Sequence, residues 1–550
     1  MIFVSVILLF LMLDLNNQFV KNKIVFSVIL MSVIITSCAR KGRPEGGPKD
    51  ESAPIMMTAN PPYETTGFDK KKIKIEFDEY IVLKDLTKQL VVSPPLKYPP
   101  IITPQGTPSK YINIEILDTL KTNTTYTFNF GNSVQDNNEN NKLESFKYVF
   151  STGNYIDSLK IKGNVANAFK EEKLKNIGVL LYKLDNTYND SIIYKQKPNY
   201  VTSTLDSTNF QFTNLQKGKY LLLALKETSK DYIFNSKTDQ IGFYTDTISL
   251  PKDTLLTTPI RIFKELQPYK FKRGKEVVKG KIQFGYEGEK DNMKIELLSK
   301  VPESFKAFSE YEKNKDTLNY WFTPVKQDSL NFIVSNTEFA DTITVKLRKK
   351  NIDSLVISKN IGINLHLKDT LFISGNNPIV TIDESKFSLV DKDTVAIDFQ
   401  VKKQTINKLA VIFEKSPKMN YKLNVLPKGI IDLYETTNDT LKYNFKTLTT
   451  EDYGSIVLDV QKETPHPIIV QLLNKDKVVE TKYVSSSQKV EFKLLEPKEY
   501  TVRAIIDKNN NGVWDTGNFL SRTQPEHVIY FETVFKLRAN WIQNETFIVK

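Results

Sequence analysis

A stretch near the C-terminus, DKNNNGVWDTGN (507–518), has the residue types and spacing of a calcium-binding loop. Loops of this kind take side-chain oxygens at positions one, three, five and nine, a sharp turn at position six and a backbone carbonyl at position seven. Gly512 stands at position six, and Val513 can offer its carbonyl at position seven. The side chains at the four oxygen-bearing positions are Asp507, Asn509, Asn511 and Asp515. The stretch therefore predicts a structural calcium site.

The charge of this loop indicates weak binding. Asn518, at position twelve, cannot supply the bidentate carboxylate of a tight site, and only Asp507 and Asp515 bring negative charge. We therefore expect a dissociation constant on the order of 0.1–1 mM. The alternative is a loop without metal, in which Asn and Asp side chains cap their own backbone and Asn511-Gly512 forms a tight turn. A second Asn-rich segment, 135–144, lacks the turn glycine and predicts a plain hairpin turn.

The remaining residues offer little for catalysis. The chain has three histidines, His366, His466 and His527, and none has a serine, cysteine or second histidine at a known catalytic spacing. The sequence contains no glycine-rich phosphate loop, no nucleophile elbow and no zinc-ligand spacing. We therefore predict a protein that is not an enzyme and that has no cofactor other than structural calcium at residues 507–518.

The single cysteine, Cys38, predicts a lipid anchor. Lys21 and Lys23 precede a twelve-residue apolar run (24–35), which is too short to span a bilayer. A basic segment, a short apolar segment, small residues and then one cysteine resemble a bacterial lipoprotein signal, in which the thiol is acylated and the chain is cut just before it. The alternative is a signal anchor with an incidental cysteine. With no second cysteine, an intramolecular disulfide is impossible.

The net charge of +12 favours an anionic lipid surface as a partner. Nucleic acid is the rival partner for a basic protein, but the lysines are spread along the chain instead of forming one basic block. We therefore predict no nucleic acid binding. The segment after the cysteine, residues 39–56, is rich in Gly, Pro and charge and predicts a tether between the lipid and the first domain.

Alternating apolar residues predict strands throughout the rest of the chain. KIKIEF (72–77) places Ile73, Ile75 and Phe77 on one face, and TYTFNF (125–130) alternates in the same way. Short alternating segments between Asn, Asp, Gly and Pro turns are typical of antiparallel sandwiches. No long segment shows a helical period with caps. The predicted fold class is all-β, with tandem antiparallel β-sandwich domains in an elongated array.

An internal repeat divides this array. FQFTNLQKGKYLLLALKE (210–227) aligns without gaps with VEFKLLEPKEYTVRAIID (490–507), so that Tyr220 corresponds to Tyr500. Chance similarity between amphipathic strands is the alternative, and the length of the ungapped match argues against it. The repeat predicts that both segments have the same strand order, with the two tyrosines at equivalent core positions.

A second pair of segments, 126–152 and 421–447, recurs at nearly the same offset, which predicts a duplicated two-domain unit. At the position of Gly512, the first copy has Tyr232, so we expect that the calcium-like loop is not retained there. The predicted segments are a signal peptide (1–37), a lipidated tether (38–56), and five domains at 57–153, 157–265, 270–375, 378–450 and 455–550.

Several motifs resemble known families. Residues 53–153, with IKIEFDEYI, TYTFNF and YVFSTG, resemble the bacterial Ig-like domain of the S-layer-protein type, and 378–450 is its predicted second copy. Residues 158–227, with GVLLYK and FQFTNLQKGKYLLLA, resemble a transthyretin-like module, with 455–550 as its second copy. The whole arrangement is similar to Ig-like surface lipoproteins of Bacteroidota. That resemblance implies an outer-membrane location, facing the cell surface or, alternatively, the periplasm.

Three functions are compatible with these features. The first is a lipid-anchored scaffold that serves an outer-membrane protein complex for assembly, secretion or uptake, as the resemblance implies. The second is a surface module that binds glycan or another ligand, for which Trp514 and Trp541 are the candidate aromatic contacts, whereas Trp321 is expected in a core. The third is a hydrolase with an unrecognised site. The sequence favours the scaffold.

Overall fold

The computed structural model describes residues 50–288, 293–313, 315–336 and 339–550. Cys38, the predicted signal peptide and most of the predicted tether lie outside these residues. The described chain is built almost entirely of strands, with one short α-helix, α1 (Leu86–Gln89), and 3-10 turns at Asp190–Tyr194, Glu384–Lys386 and Thr450–Asp452. No helix in this part of the chain is long and apolar enough to cross a membrane. The prediction of an all-β fold is confirmed.

The first sandwich consists of two sheets, in the orders β1-β2-β5-β4 (with β7 beside β2) and β3-β6-β8. Its strands are β1 (Met56–Asn60), β2 (Lys72–Leu83), β3 (Val91–Ser93), β4 (Ile101–Thr103), β5 (Ser109–Glu115), β6 (Thr125–Gly131), β7 (Val134–Asp136) and β8 (Phe146–Ser151). Alternation on β2 buries Ile73, Ile75 and Phe77, as expected, against aromatic residues of β6 and β8.

The second sandwich has the sheet orders β11-β10-β13-β14 (with β15 beside β13) and β12-β9-β16. Its strands are β9 (Leu159–Asn167), β10 (Gly178–Lys183), β11 (Tyr200–Ser203), β12 (Asn209–Leu215), β13 (Gly218–Lys226), β14 (Gln240–Phe243), β15 (Ile248–Leu250) and β16 (Ile260–Ile262). β9 and β16 are parallel, whereas the other pairs are antiparallel.

The third sandwich pairs a β17-β18-β21-β20 sheet with a β19-β22-β23 sheet. Its strands are β17 (Lys270–Val278), β18 (Lys281–Glu287), β19 (Lys294–Leu297), β20 (Ala307–Tyr311), β21 (Thr317–Phe322), β22 (Ser329–Ser335) and β23 (Ala340–Lys346). Trp321 on β21 is buried, as predicted for a core residue.

The fourth sandwich contains the sheets β24-β25-β29-β28, β26-β31 and β27-β30-β32. Its strands are β24 (Ile357–Lys359), β25 (Leu371–Gly375), β26 (Ile379–Ile382), β27 (Phe387–Asp391), β28 (Phe399–Thr405), β29 (Lys408–Phe413), β30 (Asn420–Val425), β31 (Ile430–Asp432) and β32 (Leu441–Lys446). Because β25 pairs with β29, the boundary predicted between 375 and 378 falls inside this sandwich. The alternation on β24 and β25 predicts strands without indicating which partner strands they join.

The fifth sandwich repeats the second one strand for strand, in the orders β35-β34-β37-β38 (with β39 beside β37) and β36-β33-β40. Its strands are β33 (Gly454–Lys462), β34 (Ile468–Asn474), β35 (Lys477–Val484), β36 (Gln488–Leu495), β37 (Glu499–Ile506), β38 (Val528–Tyr530), β39 (Phe535–Lys536) and β40 (Ile542–Val549). Even the parallel pair recurs, as β33 with β40. This shared order is what the sequence repeat predicts.

Side chains at equivalent positions make the same contacts in the two copies. The hydroxyl of Tyr220 donates to the carbonyl of Gln216 at 2.9 Å, and that of Tyr500 donates to the carbonyl of Glu496 at the same distance. The first and fourth sandwiches also resemble each other. Tyr126 stacks on Phe150 in the first and Tyr421 stacks on Phe445 in the fourth, with ring centroids 5.5 Å apart in both pairs.

Contacts between the tandem sandwiches go beyond those between neighbours along the chain. Neighbours along the chain are in contact, for example through the Tyr434 hydroxyl, which donates to the Gly280 carbonyl at 2.8 Å. In addition, the fifth sandwich packs on the second, where Phe519 is completely buried. Further contacts join the second sandwich to the third (Lys237 to Glu287, 4.0 Å) and the fourth to the fifth (His366 Nε2 to the Leu494 carbonyl, 2.7 Å). The contacts among the second to fifth sandwiches therefore form a ring. A strand pattern reports which face is buried and carries no signal for contacts between distant surfaces.

Candidate functional site

The loop predicted to bind calcium follows β37 and is closed by hydrogen bonds of its own. The Asp507 carboxylate is buried and accepts the backbone N–H of Asn511 at 3.1 Å and that of Gly512 at 2.9 Å. Gly512 has a φ of +79°, a left-handed conformation that glycine adopts at little cost. The tight turn predicted at Asn511-Gly512 is therefore present.

The other candidate ligands are drawn together around Asp515. The amide nitrogens of Asn509 and Asn511 donate to one oxygen of the Asp515 carboxylate, at 2.6 and 2.9 Å. The amide oxygen of Asn511 accepts the N–H of Val513 at 2.9 Å. Calcium binding would require the amides to turn their oxygens toward the ion instead. Among the described residues, no group of three or more His, Cys, Asp or Glu side chains is arranged to hold a metal. Calcium binding at this loop stays a prediction.

Glu526 belongs to the same loop, although the sequence motif does not include it. Its buried carboxylate accepts the N–H of Lys508 at 2.7 Å and that of Asp515 at 3.1 Å. Burial raises the pKa of the Glu526 carboxyl, and the nearby charges of Asp515 and Asp507 add to the rise. The motif is read over twelve consecutive positions, so a residue beyond its end gives no signal.

The second half of the loop is the surface that meets the second sandwich. The Phe519 ring packs edge-on against Phe243, with centroids 5.7 Å apart, and its N–H donates to the buried Glu265 carboxylate at 2.6 Å. Trp514 lies against Phe169 at 4.5 Å. Trp514, a candidate glycan contact from the sequence, is therefore part of an internal interface.

Polar contacts surround this apolar centre. The Arg503 guanidinium lies over the Phe169 ring at 3.9 Å, and the Arg261 guanidinium lies 2.8 Å from Nε2 of His527. Burial lowers the pKa of His527, and the positive charge of Arg261 lowers it further. Other contacts across the interface join Arg522 to Asp190, Thr516 to the Lys264 carbonyl, Gln524 to the Phe243 carbonyl and Tyr530 to the Phe169 carbonyl.

The equivalent loop of the second sandwich, after β13, keeps part of the same geometry. Both oxygens of Glu227 lie 3.2 Å from the N–H of Tyr232, just as Asp507 accepts from Gly512. Tyr232 has a φ of +62°, although it carries a side chain. The expectation that the loop is not retained is therefore wrong for its backbone, because a carboxylate of either length can close the turn. It holds for the asparagine ligands, which are missing.

The remaining candidate residues from the sequence lie at a junction between sandwiches, within a sandwich, in a turn or at the surface. His366 lies at the junction of the fourth and fifth sandwiches, with Nε2 2.7 Å from the Leu494 carbonyl. His466 is half-buried in the fifth sandwich, far along the chain from the other two histidines. In the second Asn-rich segment, Asp136 caps several backbone N–H groups, as expected for a hairpin turn. Trp541 is half exposed, with the Arg538 guanidinium 4.9 Å above its ring.

Comparisons with known proteins agree with this architecture in part of the chain. Residues 50–152 match the family described as bacterial Ig-like domain. No curated protein matches the chain. Among solved structures, titin domains A168–A170 are 11% identical over 44% of this chain and 93% of theirs, with a TM-score of 0.13. The surface layer protein SbsC, domains 1–6, is 12% identical over 88% of this chain and 68% of its own, with a TM-score of 0.16.

TM-scores this low carry no argument about how the sandwiches are arranged, and identities this low concern the fold alone. The family match covers the first sandwich and leaves the other four without an assigned family. The chain therefore contains a bacterial Ig-like domain at residues 50–152, at the start of a series of tandem β-sandwiches.

Proposed function

We propose that this protein is a non-enzymatic scaffold, anchored by a lipid on Cys38 to the outer membrane, where it serves as an accessory subunit of a membrane protein complex. The observation that carries the proposal is that the loop after β37 has structural contacts. Of all segments of the chain, this loop most resembles a ligand-binding motif in its residue types. In the structure, its side chains either form hydrogen bonds to the backbone of the loop or join the second and fifth sandwiches. Such use suits a molecule that holds a shape.

The N-terminal sequence and the charge support the location. The short apolar run before Cys38 resembles a lipoprotein signal, and 76 Lys and Arg against 64 Asp and Glu leave the chain basic. A basic protein tethered next to a membrane is attracted by anionic lipid, and this attraction falls off within about 10 Å at moderate salt. A cell-surface position is proposed, with the periplasmic face as the alternative.

The experiment is purification of the tagged full-length protein from membranes in mild detergent, followed by identification of the proteins that co-purify. We expect an outer-membrane protein in stoichiometric amount and a lipid-modified Cys38 by mass spectrometry of the mature N-terminus. The Cys38→Ser variant is the control and should leave the membrane fraction. Recovery of the wild-type protein alone, or with an unmodified Cys38, would contradict the complex or the anchor, respectively.

A further inference from the structure

A cavity of about 340 Å³ lies between the first and second sandwiches, away from the loop after β37. This volume falls in the range of about 300–1,000 Å³ that is typical of small-molecule sites. One wall comes from α1 and the segment that follows it in the first sandwich. This wall is mostly apolar, with Leu86, Leu90, Val92, Pro95, Leu96 and Ile102.

The opposite wall, from the second sandwich, brings two lysines to the cavity. Lys197 donates to the carbonyl of Leu96 at 2.7 Å, and Lys230 donates to the carbonyl of Thr87 at 2.9 Å. Each ammonium has three N–H donors, so further donors remain on both. Within the described part of the chain, neither lysine forms an ion pair with a carboxylate. Their positive charge is therefore left without a counter-charge.

The lining also contains a third lysine, Lys88, and a single carboxylate, Glu227. Lys88 lies 3.5 Å from Asp85, which offsets its charge. The Glu227 oxygens accept the N–H of Tyr232 and the hydroxyl of Ser229. Burial raises the pKa of the Glu227 carboxyl to about 7, so that near neutral pH much of it is uncharged. The lining is therefore positive overall and apolar on one side.

We propose that this cavity binds a small organic anion with an apolar body, of the arylalkyl or medium-chain carboxylate class. The apolar part lies against the wall of the first sandwich, and the carboxylate faces Lys197 and Lys230. A neutral molecule of the same size would fill the space and leave both ammonium groups without a counter-charge. The site lies between two sandwiches and does not depend on the proposed scaffold role.

The size of the cavity limits the ligand. At about 30 Å³ for each water in the liquid, 340 Å³ corresponds to roughly eleven waters. A carboxylate with about that number of non-hydrogen atoms, such as 4-phenylbutyrate, has a matching volume. It is also soluble at the concentrations that a binding titration needs, and its alcohol, 4-phenylbutanol, differs only in the charged group.

The test is isothermal titration of the full-length protein with 4-phenylbutyrate and, separately, with 4-phenylbutanol. We expect saturable binding of the carboxylate, at least tenfold tighter than binding of the alcohol and weaker at high salt. Equal affinity for both probes, or no saturable binding of the carboxylate in the millimolar range, would overturn the proposal.

Variants at the two lysines distinguish the contribution of charge to binding from that of the shape of the cavity. Lys197→Gln and Lys230→Gln should each weaken carboxylate binding about tenfold and leave binding of the alcohol unchanged, which also shows that the cavity is still formed. The matched control is Lys195→Gln, because Lys195 lies in the segment of Lys197 and is exposed, as Lys197 and Lys230 are, but does not line the cavity. A control that loses affinity as much as the two variants would contradict a role for these two ammonium groups.

Discussion

Asp507 and Glu227 make equivalent contacts in the two copies of one loop. Each carboxylate directly follows the equivalent strand, β13 or β37, and accepts the N–H of the residue five positions later. The backbone at that residue is left-handed in both loops, with Gly512 in one and Tyr232 in the other. Because the turn needs an acceptor at its first position, the carboxylate has a structural role whether or not calcium binds.

The first prediction concerns calcium at this loop. If the loop binds calcium only when folded, the ion adds RT ln(1 + [Ca]/Kd) to stability, about 1.4 kcal/mol at ~10 mM calcium with a Kd near ~1 mM. Thermal melting with and without calcium measures this increment. The increment should vanish in Asp515→Ala and in Asp507→Ala, the second of which also destabilises the calcium-free protein. It should persist in Asp136→Ala, whose loop lacks the turn glycine. An unchanged melting temperature in the wild-type protein would leave only the Asn-Gly turn.

The second prediction concerns the pH dependence that Glu227 contributes. Its pKa is about 7 in the folded protein and near 4.5 in the unfolded chain, so the folded state holds the proton more tightly. Stability from this group is therefore greatest at low pH and falls as pH rises from about 5 to 8. Glu227→Gln should reduce this fall by about 1 kcal/mol, after allowance for the partial exposure of the group.

Urea unfolding at pH 5 and at pH 8 measures this difference for the second sandwich. The control is Glu171→Gln, since Glu171 is exposed on the same sandwich. If both variants keep the full pH dependence of the wild-type protein, the Glu227 carboxyl is not the group responsible.

At the scale of elements, the two copies share one side-chain hydrogen bond at the start of β13 and β37. The tyrosine after the turn is buried, and its hydroxyl returns to the carbonyl four residues earlier. This bond holds the turn against the sandwich core in both copies, which also share buried residues at Phe212 and Phe492 and at Leu215 and Leu495. The repeat is therefore visible in side-chain contacts as well as in strand order.

The third prediction concerns this tyrosine hydrogen bond. Tyr220→Phe and Tyr500→Phe each remove one hydrogen bond and leave the ring in place, so each should cost about 0.5–1.5 kcal/mol of stability. Denaturant unfolding followed by a probe local to each sandwich measures the two losses. Tyr483→Phe, at an exposed tyrosine whose hydroxyl makes only a long contact with the Gly512 carbonyl (3.5 Å), should cost close to nothing. A loss in one copy and none in the other would show that the two hydroxyls do not have equivalent roles.

At the scale of the whole molecule, one loop decides the shape. The packing of Phe519 against Phe243, in a buried cluster that also contains Phe263, brings the fifth sandwich back to the second. In a ring of four, each sandwich contacts two neighbours, so each interface limits the motion of the sandwiches at the other interfaces. Under the proposed scaffold role, such an arrangement would present a defined surface to a partner.

The fourth prediction tests this closure. Phe519→Ala should remove about 3–5 kcal/mol from the contact, because a buried aromatic ring is lost and a cavity is left behind. Small-angle X-ray scattering should then show a larger radius of gyration, with the secondary structure unchanged by circular dichroism. The neighbouring Leu520 is exposed, so Leu520→Ala serves as the control and should scatter like the wild-type protein. Unchanged scattering from Phe519→Ala would mean that the polar contacts alone hold the ring closed.

The sequence by itself determined the features that depend on local pattern. Alternation at Ile73, Ile75 and Phe77 predicts a half-buried strand, because successive side chains of a strand point to opposite faces. The match between the segments around Tyr220 and Tyr500 predicts one strand order for two sandwiches, since the same buried positions recur. The tight turn at Gly512 also follows from the residue type, because a left-handed backbone favours glycine.

Only the tertiary structure decided which surfaces meet. The pattern of β25 shows that one face is buried and does not show that its partner is β29 instead of a strand of the third sandwich. In the same way, the sequence of the loop after β37 suggests metal ligands, whereas the fold uses Trp514 and Phe519 to join two sandwiches. The cavity beside Lys197 exists because two separately folded surfaces face each other. Such contacts join residues far apart in the chain, and no short-range period records them.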